Sequence, residues 1–486
     1  MNISMLIAFI IYFVTVLCVA FFGYRYTMRK ARIKKGDSSG FLVGDRSLNY
    51  WVTALSAQAS DMSSWIFMAF PAAIFIQGLY ATWIAIGLLI FMFLNWHFIA
   101  PKLRVITEKY NVTTISSFFE KRFNDKSGVI RIVSALMTLV FFTIYISAGL
   151  KGIAIVLESA FGFKYEFGVL AAVFIVFLYT SVGGFIGVAW TDLFQGIFLL
   201  IMIILVPIVA GHYLGGISTI YSSLVRQGFS FSLVPDMSLK AIFGGLILAF
   251  GWGLGYFGMP HILTKFMAIK DVKDMSKSKY VGMVWQLAAF KAAIVVGMIG
   301  VVFFRTGIAN SEHIFIEMVK YLFHPFFAGL VLCAILAAIV STIDSQILVL
   351  AAVLTDDFYK KIVNKDAKRR ELYWVFLVGI TFVCAISSFL ALNKGETIMS
   401  LVMFAWIGLG CSFGALVVLS LYSRVINKYG AIFGILVGGI SSILWRVVFG
   451  FPEAHGMVFG FVLSGVTIYL VSYLTGGNKE PLAKRS

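Results

Sequence analysis

The sequence predicts an all-α membrane protein of about 13 transmembrane helices, two of them interrupted. Three observations carry that reading. Of the 486 residues, 60% are hydrophobic and only 13% are charged. Apolar runs of about 20 residues, the length needed to cross a bilayer, recur from one end to the other. These runs are apolar all round, whereas a helix on a soluble core shows a single apolar stripe. A membrane β-barrel would instead show short segments of alternating polarity.

The spans read as 3–24, 48–76, 79–100, 129–160, 165–183, 188–211, 239–264, 281–304, 324–355, 373–391, 396–420, 429–448 and 455–475, with ends placed to within about four residues. Met1 to Leu6 carries no positive charge, so the first run reads as a retained helix and not as a leader. The polar stretches 101–128 and 212–238 read as connecting loops, and 310–322 as a short amphipathic helix on the outer face. The tail "GGNKEPLAKRS" has the composition of a disordered end. Cys18, Cys333, Cys384 and Cys411 lie in apolar runs without metal-ligand spacing, as small buried side chains do.

A net charge of +17 reads here as topology and not as nucleic-acid binding. An odd number of spans puts the termini on opposite sides. Most Lys and Arg then fall on one side: Arg25 to Arg46, Lys102 to Arg131, Lys265 to Lys279, Lys360 to Arg370, Arg424 with Lys428, and the tail from Lys479. The other loops hold only Lys164, Arg226, Lys240, Arg305, Lys320, Lys394 and Arg446. The positive-inside rule therefore places the N-terminus outside and the C-terminus in the cytoplasm, with the chain in the cell membrane.

Two spans carry breaks. The second contains "SAQASDMSSW", Ser56 to Trp65; the seventh contains "FGWGLGYFGMPH", Phe250 to His261. Glycine weakens a helix by about 1 kcal/mol relative to alanine, and proline removes a donor. Irregular backbone at membrane depth is tolerated only inside protein or along a wet cavity. Two interrupted spans five apart are the mark of an inverted-repeat secondary transporter. The chain divides accordingly: 1–47 as an extra first helix and basic loop, 48–211 and 212–420 as five-helix repeats, and 421–486 as two peripheral helices and a tail.

A broken helix exposes both kinds of end. Free carbonyls around Ala59 suit a cation, and free amides around Ser64 and Trp65 suit a carboxylate. Asp61 adds negative charge, and Ser63 and Ser64 add hydroxyl oxygens. An ionisable group at mid-depth is costly and points to function. The ninth span supplies more oxygens in "AAIVSTIDSQ", where Ala338, Ser341, Thr342 and Ser345 share a helix face. Asp344 and Asp192 are further carboxylates within spans. No nucleophile–base triad, His/Cys metal cluster or phosphate-binding loop is evident, so the pattern is not that of an enzyme. The only ion called for is sodium, as the coupling ion and not as a resident cofactor.

The strings "RSLNYWVTALSAQASDMSSW", "EKRFNDKSGVIRIVSAL", "VGGFIGVAWTD", "GWGLGYFGMPH" and "FHPFFAGLVLCAILAAIVST" resemble the sodium:solute symporter family, most closely its proline-carrying branch, from about Phe41 to Arg424. The resemblance implies a five-plus-five inverted-repeat core like that of the bacterial leucine transporter, and sodium-driven uptake of a small amino acid, L-proline first, by a monomer. It implies that Ala59, Met62, Ala338, Ser341 and Thr342, with Asp61, surround the sodium. Ser63, Ser64, Trp65, Tyr145, Trp252, Tyr256, Met259 and Pro260 would form the solute site, and Arg46 a gate at the mouth of span 2. Some branches hold a second sodium, and Asp192, Asp344 and Ser345 fall where it binds. The branch has Ser-Gly-Trp where this chain has Ser63-Ser64-Trp65, and Phe-Gly-Gln-Pro where it has Phe257-Gly258-Met259-Pro260. Both changes lie at helix breaks and bear on which solute is taken: another amino acid or a small monocarboxylate is the alternative, and a solute sensor or a channel a more distant one. Lys151 and Lys291, each within a span, are expected in an internal ion pair or facing a cavity.

Overall fold

The structure is a computed structural model that describes residues 2–30, 46–180, 184–304, 307–449 and 453–476. The loop 31–45, Arg305 and the tail from 477 lie outside the described residues. No strand is formed among those described; an isolated bridge pairs Leu48 with Ile269. Eleven helical stretches among them are long and apolar enough to cross a membrane, and Tyr165–Phe177 is a shorter apolar helix. One of the eleven, Ser64–Lys109, joins the second half of span 2 to span 3 through a 3-10 turn at Gly78–Ala81. With that stretch read as two crossings and the short helix included, the expected thirteen are present.

In chain order the elements are α1 (Ile3–Lys30), α2 (Tyr50–Met62), α3 (Ala69–Gln77), α4 (Thr82–Leu94), α5 (Ala100–Lys109), α6 (Ile115–Arg122), α7 (Val129–Phe161), α8 (Tyr165–Thr180), α9 (Gly184–Tyr213), α10 (Ile217–Arg226), α11 (Leu239–Gly253), α12 (Pro260–Met267), α13 (Met275–Phe303), α14 (Ile314–Leu322), α15 (Pro325–Ala352), α16 (Arg369–Ala391), α17 (Ile398–Leu409), α18 (Ala415–Tyr422), α19 (Lys428–Leu444) and α20 (Glu453–Leu474). Three of these correct the loops expected from sequence. Residues 100–109 and 115–122 are helical, the latter because Thr114 and Ser117 cap its first turn reciprocally. Residues 217–226 are helical because Ile220 and Leu224, four apart, turn to one face, with Leu224 buried and Ile217, Tyr221 and Val225 outward.

Side-chain contacts sort the loops onto two faces. On one face Arg46 donates to the carbonyls of Thr107, Val112 and Met267, and Arg104 to those of Ile269 and Lys270. Glu120 there meets Arg131 and Lys361, and Arg122 donates to the carbonyls of Ser420 and Ser423. On the other face Glu312 accepts the N–H groups of Ile398 and Met399, Lys394 meets Glu166, Trp83 donates to the Leu233 carbonyl, and Arg446 meets Glu396. The loops joining spans 3–4, 7–8, 9–10 and 11–12 thus share the basic face, and those joining 2–3, 4–5, 6–7, 8–9, 10–11 and 12–13 share the opposite one. That is the alternation a thirteen-span chain requires.

The two interrupted crossings sit at the centre. The second packs on α9, α13 and α15, and the 3-10 segment of the seventh packs on the π-helical turn Gly410–Gly414. Helix α1 lies outside this core against α9 and α15, and α19 and α20 pair at the periphery. The outward faces are apolar: Ile10, Phe22, Phe174, Ile201, Phe389 and Val462 are all exposed, as lipid-facing side chains are.

Candidate functional site

The second crossing begins at Asn49, whose side chain accepts the N–H of Val52 and caps α2. It breaks at Ser63. That residue has φ 50° and ψ −164°, a conformation that L side chains rarely adopt, and a single 3-10 turn, Ser64–Ile66, leads on towards α3. The break faces α15. Ser341 Oγ donates to the carbonyl of Ala59 at 2.8 Å and lies 3.1 Å from that of Ala338. Thr342 Oγ1 donates to the Ala338 carbonyl at 2.9 Å and accepts the N–H of Ser63 at 3.0 Å. Two main-chain carbonyls and two hydroxyls therefore form one buried cluster of neutral oxygens, with Met62 fully buried beside them. Such oxygens suit a hard monovalent cation.

Asp61 sits two residues from Ala59, but its hydrogen bond runs elsewhere. Its Oδ2 accepts from the Tyr256 hydroxyl at 2.5 Å, and that hydroxyl accepts from Gln286 Nε2 at 2.8 Å. The carboxylate was expected against Ser341 and Thr342. It turns instead to the other interrupted crossing, because the phenol there can satisfy it. Tyr256 was expected in the solute cage; here it is a strut, with its own carbonyl held by Asn95 Nδ2.

Other aromatic groups do gather. The Trp65 and Trp252 rings stack with centroids 5.6 Å apart, and Phe290 and Phe70 lie 5.8 and 5.6 Å from Trp65. Trp406 closes the far side by donating to the Trp252 carbonyl. Ser64 Oγ and the Tyr145 hydroxyl are buried and have no hydrogen-bond partner. Tyr145 lies edge-on to His261, 6.3 Å between centroids. Sequence reasoning missed Phe70, Phe290, Trp406 and Gln286. A signal existed for two of them: Gln286 is a lone amide in an apolar span, and Phe290 follows it by one helical turn.

The seventh crossing breaks through a 3-10 turn, Leu254–Gly258, and an extended Met259 before Pro260 opens α12. Gly258 is required there: a Cβ at that position would stand 2.6 Å from the Leu409 carbonyl oxygen. Below the breaks, towards the basic face, a small pocket is lined by Thr114, Ser116, Pro260, His261, Lys265 and Ser345 among others. Met259 is buried, and Ser345 Oγ has no partner.

Asp192, expected with Asp344 and Ser345 around a second cation, holds Lys265: Nζ stands 2.9 Å from Oδ2, which also accepts Ser56 Oγ at 2.6 Å. Asp344 is buried on α15. Arg46, at φ 54°, ties the foot of span 2 to three carbonyls. Lys151 is buried and donates to the Asn393 carbonyl at 3.1 Å, a main-chain acceptor where an ion pair or cavity was expected. Lys291 is exposed, in line with the exposed Val284, Leu287 and Val295 on α13, and so is not internal as expected. The stem of a lysine is long enough to carry its ammonium towards the interface.

The sodium:solute symporter family profile matches residues 41–438. The chain belongs to the sodium:solute symporter family. It is 37% identical over 482 residues to the osmoregulated proline transporter OpuE of Bacillus subtilis (strain 168), covering 98% of this chain and 96% of that one. It is 38% identical over 482 residues to the sodium/proline symporter of Staphylococcus aureus (strain NCTC 8325 / PS 47), covering 96% and 91%. Among solved structures, a sodium-coupled sialic acid symporter in a substrate-bound outward-open state superposes with TM-score 0.81 at 18% identity, covering 99% of this chain and all of that one. Mhp1, a nucleobase-cation-symport-1 family transporter in a closed conformation, gives 0.53 at 14% identity over 90% of this chain and 96% of that one. These likenesses fix the fold as that of the leucine-transporter-like transporters. The chain is accordingly a multi-pass membrane transporter, and sodium is the coupling ion of its family.

Proposed function

We propose that this symporter imports L-proline together with sodium, using the sodium gradient and the membrane potential. The observation that carries the reading is the broken second crossing, whose Ala59 carbonyl accepts from Ser341 and whose Ser63 N–H donates to Thr342 on one side, and whose Trp65 stacks on Trp252 on the other. The names of two near-full-length relatives point to proline. Sodium is held by the carbonyls of Ala59, Met62 and Ala338 and the hydroxyls of Ser341 and Thr342, with Asp61 supplying charge nearby. The solute lies beside Trp65, Trp252 and Tyr145. Its ring packs on the indoles, its ammonium meets their electron-rich faces, and its carboxylate meets the amides that follow Ser63. Pro260 and Met259 shape the floor, and Arg46 gates the path below. The basic face is cytoplasmic, the N-terminus is outside, and residues 48–211 and 212–420 rock against each other as inverted repeats within a monomer.

The test is uptake of labelled proline into proteoliposomes with and without an inward sodium gradient. Accumulation above the outside concentration only with sodium is expected. Downhill, non-saturating flux would mark a channel, and no flux of any solute a sensor. Ser64 favours a second solute class: its buried, unpartnered hydroxyl stands where the branch has glycine. A panel of small amino acids and monocarboxylates competing against proline decides between them.

A further inference from the structure

The buried carboxylate of Asp192 is already answered by a cation that belongs to the chain. Lys265 Nζ lies 2.9 Å from Asp192 Oδ2, and the two side chains are 1% and 0% exposed. The same oxygen accepts the Ser56 hydroxyl at 2.6 Å. The ammonium also lies 5.1 Å from the centre of the Phe185 ring, on the face of the π system. A buried carboxylate needs a counter-charge, and an ammonium or a sodium ion provides it equally well. At Asp192 itself, both together would put two unit cations on a single carboxylate in a medium that screens them poorly. The donors also occupy the ground: an N–H and an O–H already point at Oδ2, leaving Oδ1 as the open acceptor on this carboxylate.

We infer that Lys265 is a built-in counter-ion that takes the place of a second sodium at Asp192, so that one sodium accompanies each solute. The inference rests on the sodium-coupled uptake proposed above. It makes Lys265 a determinant of coupling: with no membrane potential, a tenfold sodium gradient supports about tenfold accumulation through one ion and about a hundredfold through two.

The experiment counts radiolabelled sodium bound at equilibrium to the purified full-length chain. In parallel, it measures the Hill coefficient for sodium in proline uptake. The wild type is expected to bind one sodium per chain with a coefficient near one. Lys265→Met, which keeps the stem and removes the charge, is expected to bind two, with the coefficient rising towards two. Lys265→Arg stays at one, and Lys265→Met with Asp192→Asn returns to one. Two ions in the wild type overturn the inference, as does a count that stays at one in Lys265→Met. A double variant that still binds two places the extra ion at another carboxylate, such as Asp344, and overturns it as well. If Lys265→Met does not fold, the wild-type count decides alone. A wild type that binds no sodium and accumulates nothing would defeat the sodium-coupled reading itself, a different result from any of these.

Discussion

At the scale of single residues, the oxygens around Ala59 make the sharpest predictions. Ser341→Ala and Thr342→Ala each remove one hydroxyl from a buried cluster. Each is expected to raise the sodium concentration for half-maximal uptake about tenfold, the equivalent of about 1.4 kcal/mol; a sodium titration in proteoliposomes reads it, and an unmoved midpoint removes the residue from the site. Asp61→Ala is expected to abolish uptake while the protein still inserts, as surface labelling against transport will show. Asp61 stood out as a candidate functional residue because a carboxylate within an apolar span has few other reasons to be there. Its partner was not legible. Tyr256 lies 195 positions away, and periodicity says nothing about which residue another crossing brings opposite. The same limit hid the Lys265–Asp192 pair, since Lys265 reads from sequence as the first basic residue of a loop.

At the scale of elements, both breaks were legible from glycine, proline and serine clusters, whereas the short helices 100–109, 115–122 and 217–226 were not. Those three carry enough charge and polarity to look like loops, and their helicity comes from capping and from docking a single face. Asp125 shows how such ends are held. Burial alone would raise its carboxyl, but the Ser127 hydroxyl, the N–H groups of Ile130 and Ser127 and the charge of Lys428 outweigh that and hold it below the usual carboxylate value. Because the folded value is depressed, its stabilisation is present above the unfolded value of about 3.9 and lost as pH falls through the folded one. Asp125→Ala is therefore expected to cost about 1 kcal/mol at neutral pH, with the difference from wild type vanishing in strong acid; thermal unfolding in detergent across pH measures it. Gly258→Ala, which drives a methyl into the Leu409 carbonyl, is expected to cost about 1–3 kcal/mol and to slow uptake by parting the seventh crossing from Gly410–Gly414.

At the scale of the whole molecule, hydropathy and the distribution of Lys and Arg carried most of the architecture. The structure adds that the loop partners fall on two faces in strict alternation, through contacts such as Arg104 with Ile269 and Glu312 with Ile398. An impermeant label is expected to reach a cysteine placed at Gln227 from outside intact cells, and one placed at Ser127 only after the membrane is opened; the reverse pattern would invert the assigned orientation. The packing of the aromatic cluster proposed to hold the solute was less legible. Phe70, Phe290 and Trp406 look like ordinary apolar residues of spans, and only three-dimensional closure sets them around Trp65 and Trp252.

The hydroxyl shared by Asp61 and Gln286 has a consequence for energy conversion. Through Tyr256, the neighbourhood of the proposed ion site in one interrupted crossing and the backbone of the other are bound into one object. Thermodynamic linkage is reciprocal, so whatever factor sodium lends to proline affinity, proline must return to sodium. Removing that one oxygen, in Tyr256→Phe, is expected to leave both guests able to bind yet indifferent to each other. Dissociation constants measured with and without the second guest would then coincide, and the gradient would leak away without work.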